Sequence, residues 1–108
     1  MGVVLKSRKV GDVLVVDMAG RLNVLDQGLR ELVLEGLKAG SRHFVVNMKD
    51  LSYMDSSELG QFMFLHTSIK EANGSLKLLR PSAQFRQLLS ITKLDKIFDV
   101  IDDETQIQ

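Results

Sequence analysis

The short apolar run Phe44-Val45-Val46-Asn47-Met48 is of the kind buried on both faces, as parallel strands covered by helices are. It is expected as a central strand, so the rest of the chain has to supply strand partners on both edges and helices to cover it. Upstream, Val3-Val4-Leu5 and Val13-Leu14-Val15-Val16-Asp17-Met18-Ala19 are rich in β-branched residues and flank Val10-Gly11-Asp12, which reads as an antiparallel hairpin turning near Gly11. Leu25, Leu29, Leu32, Val33 and Leu37 then recur at spacings of three and four, predicting an amphipathic helix that stops near Ala39-Gly40. Gly28 and Gly36 weaken that helix by about 1 kcal/mol each relative to alanine.

After the central run, Leu59, Phe62, Met63, His66, Ile69 and Lys70 fall at helical spacing, and Asn73-Gly74 is a stop signal. Leu76-Lys77-Leu78-Leu79 supplies a further strand. Arg80-Pro81 then forces a break before a helix capped by Ser82 that turns Phe85, Leu88 and Leu89 inward. Leu94, Ile97, Phe98, Val100 and Ile101 read as a closing short strand with flanking turns, and Asp102-Asp103-Glu104 as the start of a final polar helix with acids at its favourable end. A hairpin followed by alternating helix and strand gives an α/β fold. The expectation is a mostly parallel mixed sheet of about five strands, opening antiparallel, with about four helices.

With 108 residues the chain is expected to form a single domain, residues 1–108, long enough to bury roughly two-thirds of its unfolded surface. Its 14 basic and 14 acidic residues cancel, so the excess positive charge needed for non-specific nucleic-acid binding is missing and no direct nucleic-acid partner is expected. The absence of cysteine removes disulfides, thiol catalysis and thiolate zinc sites together. The N-terminus becomes charged at Lys6 and Arg8, too early for a signal peptide, and no apolar run approaches the length of a membrane span. A soluble, cytoplasmic protein without a membrane partner is the simplest expectation, as a monomer or weak dimer.

The chemistry concentrates at Asp55-Ser56-Ser57-Glu58, where the central strand gives way to a helix. The first turn of a helix has unpaired N–H groups and the positive end of the helix dipole, so a hydroxyl there is suited to carry or contact an anion. Asp and Ser are also common at helix starts for purely structural reasons. With Asp55 as N-cap and Glu58 three residues on, the segment resembles a capping box that puts Ser56 and Ser57 in the first two helical positions. Other candidates are weaker. His66 reads as a core-edge residue, and His43 lacks a second histidine at metal-ligand spacing, so no metal site and no cofactor are expected. Lys93, Asp95 and Lys96 read as solvated surface, whereas Met54 and Met63, near the junction, are suited to adapt to a docked partner.

The run Asp50-Leu51-Ser52-Tyr53-Met54-Asp55-Ser56-Ser57, followed by Leu59-Gly60, resembles the phosphorylation-site signature of bacterial anti-sigma factor antagonists. These are the single-domain members of the sulphate transporter and anti-sigma factor antagonist (STAS) family. Gly20-Arg21-Leu22-Asn23 is similar to the family's segment after the second strand, Phe44-Val45-Val46-Asn47 to its third strand, and the stretch from Leu89 to Phe98 to its last helix and strand. The resemblance implies a STAS-like fold and a non-enzymatic partner switch. In that family the unphosphorylated antagonist binds an anti-sigma factor that is also a serine kinase. Phosphorylation of the first serine after the aspartate ends the interaction, and a serine phosphatase reverses it. Carried over by position, the acceptor is Ser56, with Asp55, Ser57, Glu58 and Asn23 at the partner surface. Glu58 stands where the family usually has glycine, and Asn23 where it often has aspartate. The Glu58 carboxylate would either oppose a phosphate on Ser56 or complete the helix cap. Three other readings compete: a scaffold STAS module of a larger signalling complex, a receiver-like domain phosphorylated on Asp55, and an enzyme with Ser56 as nucleophile. The last has no G-x-S-x-G elbow, P-loop or G-x-G-x-x-G to support it.

Overall fold

The computed structural model describes residues 2–22, 27–54 and 56–108. The chain runs β1 (Val3–Val10), β2 (Val13–Leu22), α1 (Gly28–Lys38), β3 (His43–Met54), α2 (Glu58–Glu71), β4 (Ser75–Leu79), α3 (Ala83–Ile91) and β5 (Asp99–Ile101). Single 3-10 turns lie at Leu94–Lys96 and Glu104–Gln106. The five strands form one sheet in the order β1-β2-β3-β4-β5, antiparallel between β1 and β2 and parallel elsewhere. The mixed sheet, the hairpin and the central place of β3 agree with the sequence. Leu25, expected to begin the first helical stripe, lies outside the described residues.

β3 is buried on both faces by strict alternation. Phe44, Val46 and Met48 enter the main core with Leu29 and Val33 of α1, Phe62, Leu65 and Ile69 of α2, and Phe85 and Leu89 of α3. Val45 faces a smaller cluster with Val13, Val15, Leu79, Ile101 and Ile107. On that same side Asp17 ties the hairpin to β3. It accepts from Arg8 Nε at 2.7 Å and from Asn47 Nδ2 at 2.8 Å. Partial burial pushes the Asp17 carboxyl up, but the bonds from Arg8 and Asn47 outweigh it and hold the group below its ordinary value.

Two sequence expectations are corrected. The final polar helix is only the 3-10 turn Glu104–Gln106, because Gln106 closes a capping box with Asp103 and Ile107 then turns into the smaller cluster. The described residues thus form three α-helices. Second, the inward stripe of α2 is Glu58, Phe62, Leu65 and Ile69, at spacings of four and three, while Lys70 is exposed. Before β5, Ile97 is exposed and Phe98 is buried. Gly36 is buried, and a methyl group there would meet Leu14 and Phe44 side-chain atoms at 2.8 and 2.9 Å, so its lower helix propensity is exchanged for close approach of α1 to the sheet.

His66 is half-buried on α2 and meets Phe98 edge-on at 5.4 Å between centroids. Desolvation, with Lys70 adding to it and Asp99 opposing, lowers its pKa from 6.5. The fold therefore favours the neutral ring, and this contribution is present above about pH 6.5 and is lost as pH falls through the lower folded value. Denaturation midpoints are expected to drop on acidification below about pH 6.5, with a smaller drop in His66→Gln; identical slopes would contradict the assignment. A glycine pair provides a second check. At Gly74 an added Cβ would lie 2.0 Å from the Arg42 carbonyl oxygen, whereas at Gly60, in the first turn of α2, it meets nothing within 4 Å. Gly74→Ala should lose about 1–3 kcal/mol or more in urea titrations, and Gly60→Ala should gain up to about 1 kcal/mol.

Candidate functional site

A mismatch of strand lengths creates the site. β3 pairs with β2 as far as Met54, but with β4 only as far as Asn47, opposite Leu79. There β4 ends: Arg80 adopts φ 51°, Pro81 cannot donate to a ladder, and the Ser82 hydroxyl accepts from the Phe85 N–H at 3.1 Å to start α3. Residues 48–54 of β3 consequently run on without β4 on their second edge and face α3 across a cleft of about 380 Å³. Its apolar lining comes from Met48, Leu51 and Met54 on the strand and from Phe85, Leu88 and Ile91 on the helix. Hydroxyl and amide groups of Ser52, Tyr53, Ser56, Ser82, Gln84 and Gln87 complete it. No Lys, Arg, Asp or Glu is among the described lining residues.

Ser56 is exposed and belongs to this lining. It and Ser57 form a turn, with the Leu59 N–H donating to the Ser56 carbonyl at 3.1 Å. Ser57 is the N-cap residue, with φ −63° and ψ −19°, and α2 begins at Glu58. The two serines therefore precede the helix instead of forming its first two positions, the reason being a tightened turn of the kind common at helix ends. The positive end of the helix still lies within a few residues of Ser56.

Glu58 departs from its expected place. Its side chain is fully buried, at the head of the stripe that continues through Phe62, and Oε1 accepts from Gln61 Nε2 at 2.8 Å. Helical register puts it on the core side, so it is not a surface on which a partner can rest. Asp55 and Asn23 lie outside the described residues. Met54 lines the cleft, whereas Met63 packs on the main core and does not. Tyr53, which also lines the cleft, has the Arg21 guanidinium 4.5 Å from its ring centroid, and Arg21 is its register partner on β2.

The sequence reading missed α3 as the second wall. Leu88, expected to point inward, is half-buried in the cleft, and Ile91, in the stretch that resembles the family's last helix, is 71% exposed. Their spacing of three along a helix whose core face is already filled by Phe85 and Leu89 is the signal that marks a second apolar stripe. Lys93, Asp95 and Lys96 are exposed, as expected. Among the described residues no cluster of three or more His, Cys, Asp or Glu has metal-binding geometry, and no helix is long and apolar enough to cross a membrane.

The architecture also bears on the receiver alternative. A flavodoxin-like receiver has the strand order 2-1-3-4-5. Here the order is 1-2-3-4-5 with an antiparallel first pair, which is a different topology.

Comparison with known proteins matches the same architecture. The STAS domain model matches residues 5–107. The anti-sigma-B factor antagonist of Bacillus subtilis is 34% identical over 85 residues, covering 79% of this chain and 78% of the relative. The protein of the same name from Staphylococcus aureus is 30% identical over 94 residues, covering 86% of each. Among solved structures, the anti-sigma factor antagonist SpoIIAA in its unphosphorylated form superposes with a TM-score of 0.76 at 20% identity, over 95% of this chain and 92% of that one, a likeness of fold. On its sheet order, its hairpin and the near-complete span of the match, the chain belongs to the STAS-domain family.

Proposed function

We propose that this protein is an anti-sigma factor antagonist working as a partner switch. Unphosphorylated, it binds an anti-sigma factor that has serine kinase activity; phosphorylation of Ser56 releases it, and a serine phosphatase resets it. The curated relatives named anti-sigma-B factor antagonists support this reading. The observation that carries it is the position of Ser56, an exposed hydroxyl on a turn before a 14-residue helix and in the lining of a largely apolar cleft whose described residues carry no charge.

The physics of the switch follows from that position. A kinase requires an accessible hydroxyl, and Ser56 is exposed. A phosphoserine carries about −1.5 to −2 charges at neutral pH. None of the described cleft-lining residues is a cation, so the new charge would meet no Lys or Arg in the lining, and any apolar partner surface docked there would have to bury it. The nearby N-terminus of α2 makes the phosphorylated chain tolerable to its own fold while docking becomes unfavourable. The modification thus acts on the interface more than on stability. No catalytic step is assigned to the chain.

Ser56→Ala is expected to bind the anti-sigma factor as the unphosphorylated chain does and to stay bound in the presence of ATP, while Ser56→Asp binds at least tenfold more weakly in a pull-down. Equal retention of the two variants would contradict the switch. Because the Glu58 side chain is turned into the core, its charge is expected to contribute little to the switch. Introducing Glu58→Gln should leave the affinity ratio between Ser56→Ala and Ser56→Asp the same within about threefold, a coupling of well under 1 kcal/mol. A ratio that collapses in the Glu58→Gln background would show that Glu58 opposes the phosphate directly.

A further inference from the structure

We infer that the cleft beside Ser56 is a strand-addition site, which takes an extended, uncharged polypeptide segment along the free edge of β3. The register is the first ground. β3 is held by β2 on one side through Met54, while on its other side pairing with β4 stops at Asn47. From residue 48 to residue 54 that second edge has no strand partner among the described residues. Such an edge presents N–H and C=O groups at the repeat of an incoming strand. Besides the ladder to β2, the Lys49 N–H in this stretch is engaged, donating to Asn47 Oδ1 at 3.2 Å.

The second ground is the opposite wall. α3 stands across the cleft from the free edge and offers Leu88 and the 71% exposed Ile91. A peptide lying between a sheet edge and a helix has its backbone read by the strand and every second side chain by the helix. The third ground is charge. Fourteen basic and fourteen acidic residues are spread over the chain, yet none of either kind is in the described lining. The side-chain amides of Gln84 and Gln87, which line it, make no hydrogen bond to the described residues. An uncharged main chain with alternating apolar side chains matches an apolar floor with hydroxyl and amide groups; an anionic ligand does not.

Bound there, the segment would occupy the place that β4 vacates and would lie beside Ser56. That it is supplied by the anti-sigma factor rests on the function proposed above, whereas strand addition itself does not. The test uses the intact chain and a library of uncharged hexapeptides blocked at both ends, followed by amide NMR. Selected peptides are expected to shift and protect the amides of residues 50–54, and to shift those of α3. N-methylation at alternate peptide positions should weaken binding at least tenfold, as should Ile91→Asp, a change at an exposed position. Ile97→Asp, exposed but outside the cleft, should leave binding unchanged.

Absence of any saturable binder overturns the inference. So does binding that is indifferent to N-methylation, which would make the cleft a receptor for a lone apolar side chain or small molecule. Equal losses in Ile91→Asp and Ile97→Asp would mean non-specific adhesion and overturn it as well. The two proposals fail separately. Peptide binding with no difference between Ser56→Ala and Ser56→Asp in partner pull-downs removes the switch alone, and the converse pattern removes strand addition alone.

Discussion

The double burial of β3 is the constraint on which the rest of the structure depends. Phe44, Val46 and Met48 on one face and Val45 on the other hold the strand in a single register, because a slip by one residue would exchange the two sets. Each fully buried side chain of this size is worth about 1.5–3 kcal/mol, so such a slip would cost several of these contributions at once. Asn47 and Asp17 reinforce the register with a polar pairing on the smaller face, which a shifted strand would break.

A fixed register also fixes where β3 outruns its neighbour. The strand continues to Met54 while β4 stops at Leu79, since Pro81 and the Ser82 cap divert the chain into α3. The cleft is the space left by that difference in length, and Ser56 stands two residues after the end of the overhang. The residues that build the core therefore also set the position of the hydroxyl. On the proposed function, a phosphate at this place would alter a surface without needing a moving part in the fold.

Much of the architecture was legible in the sequence because it is written in local signals. The β-branched runs around Gly11, the apolar central run, Asn73-Gly74 and Pro81-Ser82 each act within a few residues, and the strands and helices begin and end near them. What could not be read was set by packing. Whether Glu58 caps the helix or enters the core depends on the rotation of α2, and that is decided by Phe62, Leu65 and Ile69 fitting the sheet. The end of the chain shows the same limit. Asp103 and Glu104 are good helix-starting residues, but burial of Ile107 takes the chain back to the sheet after one turn. The second wall of the cleft was missed because the exposure of Ile91 depends on where β4 stops, a non-local fact.

The most direct test of the account is a phosphate-mapping and binding measurement on the unmodified protein. The chain would be incubated with ATP and the anti-sigma factor kinase that the proposed function requires, the phosphorylated residue located by mass spectrometry, and the affinity of each form for that partner measured by calorimetry. The account predicts a single phosphate on Ser56 and a complex that forms with the unmodified chain and is weakened at least tenfold by the modification. A phosphate on another residue, or a complex equally tight in both forms, would contradict it.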